Sequence, residues 1–511
     1  MKRGDFRPSG LFKALAIAAI AFVAAPAADA QESKGRVRVA ILADINNYDP
    51  QQFLTVNFPI IKNLYDSLIE YTPDGKAVPS LASAWTIAPD NKSVALTLRK
   101  DVKFQSGAPF NAAAVDATLK KAADPQRGKN VYATMSIVKD WKVADDYAIT
   151  VNFKAPAPDK QITDLLQFIS IIDPAGIDTV ETKPAGTGAY MLGERVTGQR
   201  IRLVANPHYW REKEPVSGEV VLTIFSDDAA ATAALESGAV DMVYGGSARS
   251  AVRLRGAGYQ LVQGPGPLVQ VFRINSTRGP FRNEKFRQAF NHLMDRANML
   301  RVGYAGLGEA VALPWAPASP AFDKSYNEKY PFDLDKAKAL LSASGLSAAE
   351  MSNWKLLVNG GDEPSVVLSQ IVQNTLGRVG IKIDLDMKQG SEFVDSMLGG
   401  KFDAMFGAIG NIQKFPSRLA TNSIYRTSGN PVLGDPNPHK DYVAAIERVN
   451  AAFGADVKAS YDNLNQVLVK DAFGVPTNTY DSALMVAAKN LSGFTLDIDN
   501  MLVARTLGMK P

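Results

Sequence analysis

Cysteine is absent from all 511 residues, which removes disulfides, thiolate metal sites, cysteine nucleophiles and a lipid-bearing N-terminal cysteine. Histidine is scarce: His208, His292 and His439 stand far apart, two of them in turn-like stretches (NPHYW, NPHKDY), and neither an HxxxH nor an HExxH spacing occurs. That argues against a histidine-rich metal site. An excess of one charge is missing too. Lys and Arg number 56 against 52 Asp and Glu, and because four bases and two acids fall in the first thirty residues, the remaining chain carries only +2; nothing here points to nucleic acid. Long apolar runs are limited to residues 14–25, which follow a basic stretch ending at Lys13 and precede Ala28-Asp29-Ala30. This is the pattern of a cleavable export signal cut after Ala30, and the run is too short to span a bilayer. The mature chain is expected to be soluble and, lacking disulfides, to be held by its core alone.

What is present describes a globular chain. At 46% hydrophobic and 21% charged residues, two or three packed units are expected. RVRVAIL (36–42), VALTLR (94–99) and AITVNFK (148–154) alternate at period two and predict strands with one buried face. Asn111 is a good N-cap for a helix over 112–122. Residues 227–236 predict a helix followed by a strand over 240–245, and VQVFRIN (269–275) predicts another strand. Phe286, Ala289, Phe290, Leu293 and Met294 recur at helical spacing. Later, helices over 333–344, 364–379 and 392–398 alternate with strands over 381–387 and 401–410, as in an open mixed sheet, before a helical stretch over 442–472. No repeat of 20 to 50 residues and no low-complexity linker divides the chain.

The blocks YDSLIEYTPDGKAVPSLASAW, VALTLRKDVKFQSGAPFNAAAVDATLKKA, GTGAYML, NPHYW, ALESGAVDMV, PFRNEKFRQAFNHLMDRANML, DLDKAKALLSASG, IVQNTLGRVGIKIDL and KFDAMFGAIG occur in this order. As an ordered set they resemble the family 5 solute-binding proteins of ABC importers, the peptide, dipeptide and nickel-type binders, over most of residues 36–495. The resemblance implies an α/β, two-lobe periplasmic-binding-protein fold with hinge strands between lobes and an extra domain inserted in the first lobe. It places the first lobe at 31–50, 185–272 and 478–511, the insertion at 51–184 and the second lobe at 273–477. It further implies a periplasmic monomer without cofactor or catalytic residue, whose partners are a small-molecule or peptide ligand and the membrane subunits of an ABC permease. Most of the blocks are structural: Trp85, Phe104, Phe110, Tyr190, Trp210 and Phe281 are expected to pack the lobes, each ring contributing roughly 2 to 3 kcal/mol.

Cleft walls in such a fold come from loops at strand ends, and flat aromatics and amides suit them. The candidates for ligand contact are Asn46, Asn47 and Tyr48, then Trp315, then Asn359, and finally Asn411, Gln413 and Phe415. For Tyr48 and Trp315, simple packing is the competing expectation. The family resemblance also brings two departures. Ala408 and Asn411 stand where dipeptide binders carry a tryptophan and an aspartate for the peptide amine. The arginine for the carboxylate falls near Asn359-Gly360, where Asp362 and Glu363 are close. Charge-assisted hydrogen bonds to buried ions are worth about 1.5 to 3 kcal/mol each, so a solute other than a free dipeptide is expected, with longer peptides, sugars and other neutral polar solutes open. The alternatives are a secreted carboxylate-dependent hydrolase using Asp362, Glu363 or Asp403, and a chemosensory or nickel-type binder, which the scattered histidines disfavour.

Overall fold

In RVRVAI, Val37, Val39 and Ile41 are buried while Arg36 is exposed, so the segment forms a strand, β1 (Arg36–Ile41), with one face on a core. The computed structural model describes residues 35–510 except 53, 73–74, 265, 267, 411–415, 422–424 and 482; the expected export signal at 1–30 and most of the turn at 73–75 lie outside the described residues. After α1 (Phe58–Leu64) the chain builds an antiparallel sheet from β2 (Ala82–Ile87), β3 (Ser93–Leu98), β4 (Val138–Asp145) and β5 (Ala148–Phe153), in the order β2-β3-β5-β4. On it packs α2 (Ala112–Ala123), through Val115 and Leu119 against Val94 and Leu96. As the sequence predicts, Asn111 starts this helix, its side chain accepting from the N–H groups of Ala113 and Ala114.

The chain returns through β6 (Tyr190–Val196), β7 (Arg200–Ala205), β8 (Glu219–Ile224), β9 (Met242–Gly246) and β10 (Gln260–Val262). It then crosses to β11 (Leu268–Ile274), β12 (Lys355–Asn359), β13 (Asp384–Lys388) and β14 (Ala404–Ile409), and comes back along β15 (Gly474–Tyr480) to β16 (Leu484–Ala487). Two mixed sheets result, β10-β16-β9-β1-β8-β7-β6 and β13-β12-β14-β11-β15. In the first, β1 is parallel to β8 and β9; in the second, β12 is parallel to β13 and β14, and β11 is antiparallel to β14 and β15. The C-terminal ends of β1, β8 and β9 therefore share one edge, as do those of β12, β14 and β15. Such edges are where open α/β sheets bind ligands.

The cores refine the expected segment limits. A boundary at 272/273 would cut β11, which lies wholly in the second sheet; one at 477/478 would cut β15 in the same way. The changes of sheet fall at 263–267 and 481–483. Nor does an insertion beginning at 51 fit. Of the seven residues of α1 only Lys62 is not buried, and a helix apolar on nearly every side needs cover all round; Phe58, Ile61 and Leu64 pack with Val37 and Leu222 under the first sheet. The four-stranded sheet draws its core from residues 68–171. Of the expected packing aromatics, Phe104, Phe110, Tyr190 and Phe281 are fully buried, whereas Trp85 and Trp210 are partly exposed. Further on come α3 (Glu363–Arg378) and, within the helical stretch after 440, a break at Gly454 (φ +59°) that separates Lys440–Ala451 from α4 (Asp456–Asp471).

Candidate functional site

Asp481 holds the two crossing segments side by side, accepting from the N–H of Gly266 at 2.9 Å and from Nδ2 of Asn500 at 3.1 Å. Beside this crossing, between the sheets, lies a cavity of about 300 Å³. Ser247 and Arg249 line it after β9, Tyr304 and Asp362 line it from the second sheet's side, and Tyr480 and Asp481 from the crossing itself. Arg249 reaches Glu363 at 2.8 Å with both side chains mostly exposed. Asp362 caps α3, accepting from the N–H of Ser365 at 3.0 Å. Burial pushes the carboxyls of Asp362 and Asp481 up, as it does the phenols of Tyr304 and Tyr480, whose rings lie 4.8 Å apart.

The expected contact residues divide. Asn46, Asn47 and Tyr48 follow β1 at the first sheet's edge, but only Asn46 is exposed. Asn47 Oδ1 accepts from the N–H of Asp49 at 3.0 Å. Tyr48 is packed in the first core with its carbonyl accepting from Tyr65 Oη at 2.9 Å, so packing accounts for this ring. Trp315 requires correction as a cleft residue: it is 0% exposed among the aromatics behind the second sheet, and its indole N–H donates to Asn465 Oδ1 at 2.7 Å. That leaves it neither an open face nor a free donor. Asn359 ends β12 at the second sheet's edge, where its Oδ1 closes a turn by accepting from the N–H of Gly361 at 3.1 Å. Asn411, Gln413 and Phe415 lie outside the described residues. Between the sheets an arginine and an acid face each other, Arg249 and Glu363, and neutralise one another.

The carboxylate-pair alternative fails on geometry. Asp403 precedes β14, accepts from the N–H of Lys355 at 3.0 Å and lies 3.7 Å from Arg278. Asp362 lies beyond the other end of β12, and Leu356 sits opposite Ala404 in the parallel pair. At about 3.3 Å per residue the two acids are roughly 15 to 20 Å apart, whereas a glycosidase pair needs about 5 to 9.5 Å. Glu363 is held by Arg249.

A second cavity, about 340 Å³, adjoins a row that the sequence did not suggest. Ser276 Oγ lies 3.0 Å from His439 Nε2, and His439 Nδ1 lies 3.4 Å from Asp471 Oδ2. Acyl transfer also needs free donors for an oxyanion. Here the Ser276 N–H donates to Val432 O at 2.9 Å and the Thr277 N–H to Asn275 Oδ1 at 3.1 Å. The row braces the end of β11 against α4. Among the described residues no cluster of His, Asp or Glu could hold a metal ion, and no helix is long and apolar enough to cross a membrane. Sequence reasoning passed over Arg273, Arg249 and Asp481; the one available signal was a charged residue in β11, a strand buried from Val269 to Ile274.

The family model for bacterial extracellular solute-binding proteins, family 5, matches residues 76–430. The glutathione-binding protein GsiB of Salmonella choleraesuis (strain SC-B67) is 27% identical over 354 residues, 68% of each chain. The fold is similar to that of NikA from Brucella suis, solved in complex with Fe(III)-EDTA, with a TM-score of 0.79 and 23% identity over 93% of this chain and 100% of that one. It is also similar to DppA from Helicobacter pylori in complex with the peptide STSA, with a TM-score of 0.76 and 20% identity over 93% and 98% of the two chains.

Proposed function

The chain belongs to the bacterial extracellular solute-binding proteins of family 5, and on that premise we propose that it captures a peptide or another polar small molecule between its two sheets and hands it to the permease of an ABC importer. The observation that carries this reading is the shared placement of strand ends. The C-terminal edges of both sheets belong to one compact unit, and among the described residues the chain changes sheet twice, between Val262 and Leu268 and between Tyr480 and Leu484, beside the cavity. Two crossing segments are the economy of a hinge: a solute touching both edges favours the closed form by its extra contacts there, and the permease reads that form. In this reading the first lobe comprises 35–65, 172–262 and 484–510, the inserted domain 66–171 and the second lobe 268–480. The relatives named for glutathione, Fe(III)-EDTA and a peptide support a polar solute without selecting one. Residues 1–30 act as the export signal, giving a periplasmic monomer that begins at Gln31.

Native mass spectrometry of the protein purified from a periplasmic extract tests this directly. The expected result is a polypeptide mass that begins at Gln31 plus one released small molecule. A protein that releases nothing, and whose melting temperature does not respond to a small-molecule extract of the growth medium, overturns solute binding.

A further inference from the structure

Resting on the solute-binding reading, we propose that Arg273 is an anion-binding residue of the cleft, and that the solute therefore carries an anionic oxygen group, a carboxylate or a phosphate ester. The other buried arginines are more fully bonded, although Arg296 Nη2 also lacks a partner. Arg296 donates to four carbonyls, those of Val311, Pro476, Asn291 and Tyr330, at 2.9 to 3.0 Å. Arg287 donates to those of Asp471, Phe281 and Arg282, and Arg505 pairs with Glu70 and Glu214 at 3.0 Å. Arg273, only 6% exposed, makes one hydrogen bond among the described residues, from Nη2 to Ala408 O. Its Nε has no partner, and no carboxylate among the described residues pairs with it. A guanidinium has five donors, stays charged, and is costly to bury uncompensated.

The surrounding sequence offers no counter-ion. Between Asp403 and Asp435 there is no Asp or Glu, while Lys414, Arg418 and Arg426 fall in that interval. The groups that act on Arg273 electrostatically are two phenols, Tyr425 and Tyr480, and burial lowers the guanidinium to about 10, still cationic at neutral pH. Tyr425 Oη is itself buried without a partner. Two unpartnered polar groups from different parts of the second lobe thus accompany one unbalanced positive charge.

Direction and access follow from the register. Arg273 sits opposite Met405, yet its guanidinium meets the carbonyl of Ala408, the partner of Gln270. The side chain is thereby laid along the sheet toward the edge where the chain crosses to the first lobe, its acceptor lying three residues beyond Met405. It can lie there because residue 407 is glycine: a Cβ at Gly407 would stand 2.6 Å from Arg273 Nε. Gly407 and Ala408 belong to a strand with neighbours on both sides, but both are partly exposed. Part of this strand is therefore reached by solvent beside the guanidinium. Planar anionic oxygens match the fork geometry of arginine, which is why carboxylates and phosphates both fit.

The test uses the solute released from the wild-type protein on native mass spectrometry, added back by calorimetric titration to ligand-stripped wild type, Arg273→Gln and Gly407→Ala, together with a capped form of the same solute (its methyl ester or its dephosphorylated product). The expected result is an acidic solute, its released mass telling carboxylate from phosphate. Affinity should fall about 10- to 150-fold in Arg273→Gln. Capping should cost a similar factor in wild type and little more in the variant, and Gly407→Ala should lose affinity by displacing the guanidinium. Stripped Arg273→Gln should melt no lower than stripped wild type, whereas a purely structural arginine would leave it less stable. A neutral or purely cationic solute, or an acidic one bound equally by wild type and Arg273→Gln, overturns the anion site while leaving solute binding intact. Absence of any bound solute overturns both.

Discussion

The two sheet edges treat charge in opposite ways. At the first, the acids are paired or hydrogen-bonded: Asp44 meets Arg195 at 3.1 Å, Asp49 meets Lys121 at 2.7 Å with both side chains buried, and Asp228 accepts from Ser247 Oγ at 2.7 Å. Burial would raise Asp44, but hydrogen bonds from the Gly198 N–H and Arg195 outweigh it and hold the carboxyl below its ordinary range. At the second edge burial wins. Asp362 is pushed up against only the Ser365 N–H, and Arg273 is left without a carboxylate. The first edge is thus a finished scaffold, and the second keeps charges that an incoming solute can satisfy. Selectivity on this account resides in the second lobe, and the first supplies a rigid wall.

The largest expected effect breaks the finished wall. Lys121 Nζ also donates to Gln51 Oε1 at 3.0 Å and to Arg127 O at 3.0 Å, so Lys121→Met strands a buried Asp49 and should cost about 3 to 5 kcal/mol in urea unfolding. Solute affinity per folded molecule should be unchanged. Trp315→Phe comes next: it leaves Asn465 Oδ1 without its donor and should cost about 1 to 3 kcal/mol, again without altering affinity. A loss of affinity that exceeds the loss of stability would return Trp315 to the cleft.

A smaller effect concerns pH. Because the folded-state value of Asp362 is raised, its favourable contribution is present below the ordinary carboxylate range and disappears as pH rises through the folded value; Asp44, lowered, contributes above that range and loses its contribution as pH falls. Asn caps helices as well as Asp does. Asp362→Asn should therefore raise the melting temperature on the order of one or two degrees at pH 7 and give no gain below about pH 4. A gain at both values would mean that charge burial is not what strains this cap.

How much of this was readable in the residues depends on whether the deciding partner is local. β1 and β5 alternate with one face buried, and Asn111 satisfies its own helix two and three residues on; such features need nothing distant. β4 was missed because VKDWKVAD is largely exposed and owes its form to pairing with β5. Trp315 is the sharper failure. A ring that packs and a ring that stacks on a solute look alike in sequence, and the group that decides between them, Asn465, is 150 residues away. Asp362 and Glu363 are adjacent yet part company, one capping α3 and the other reaching the first lobe. Arg273 was visible only as a charge in a buried strand; its lack of an anion is a property of the assembled sheet.

The smallest effect falls on the contact that joins the two edges directly. Arg249 and Glu363 meet at 2.8 Å with side chains 73% and 61% exposed, so water and salt screen most of their attraction, leaving about 0.2 to 1 kcal/mol. Because this pair bridges the lobes, it biases closure and not the stability of either lobe. Arg249→Ala should shift solute affinity by no more than about five-fold, with the wild-type difference shrinking toward zero at 1 M salt, where the screening length is about 3 Å. Melting of the stripped protein should be unaffected. A larger, salt-insensitive loss would mean that Arg249 contacts the solute itself. The first edge would then also hold a charge in reserve, and the contrast between the two walls would give way to a solute gripped ionically from both sides.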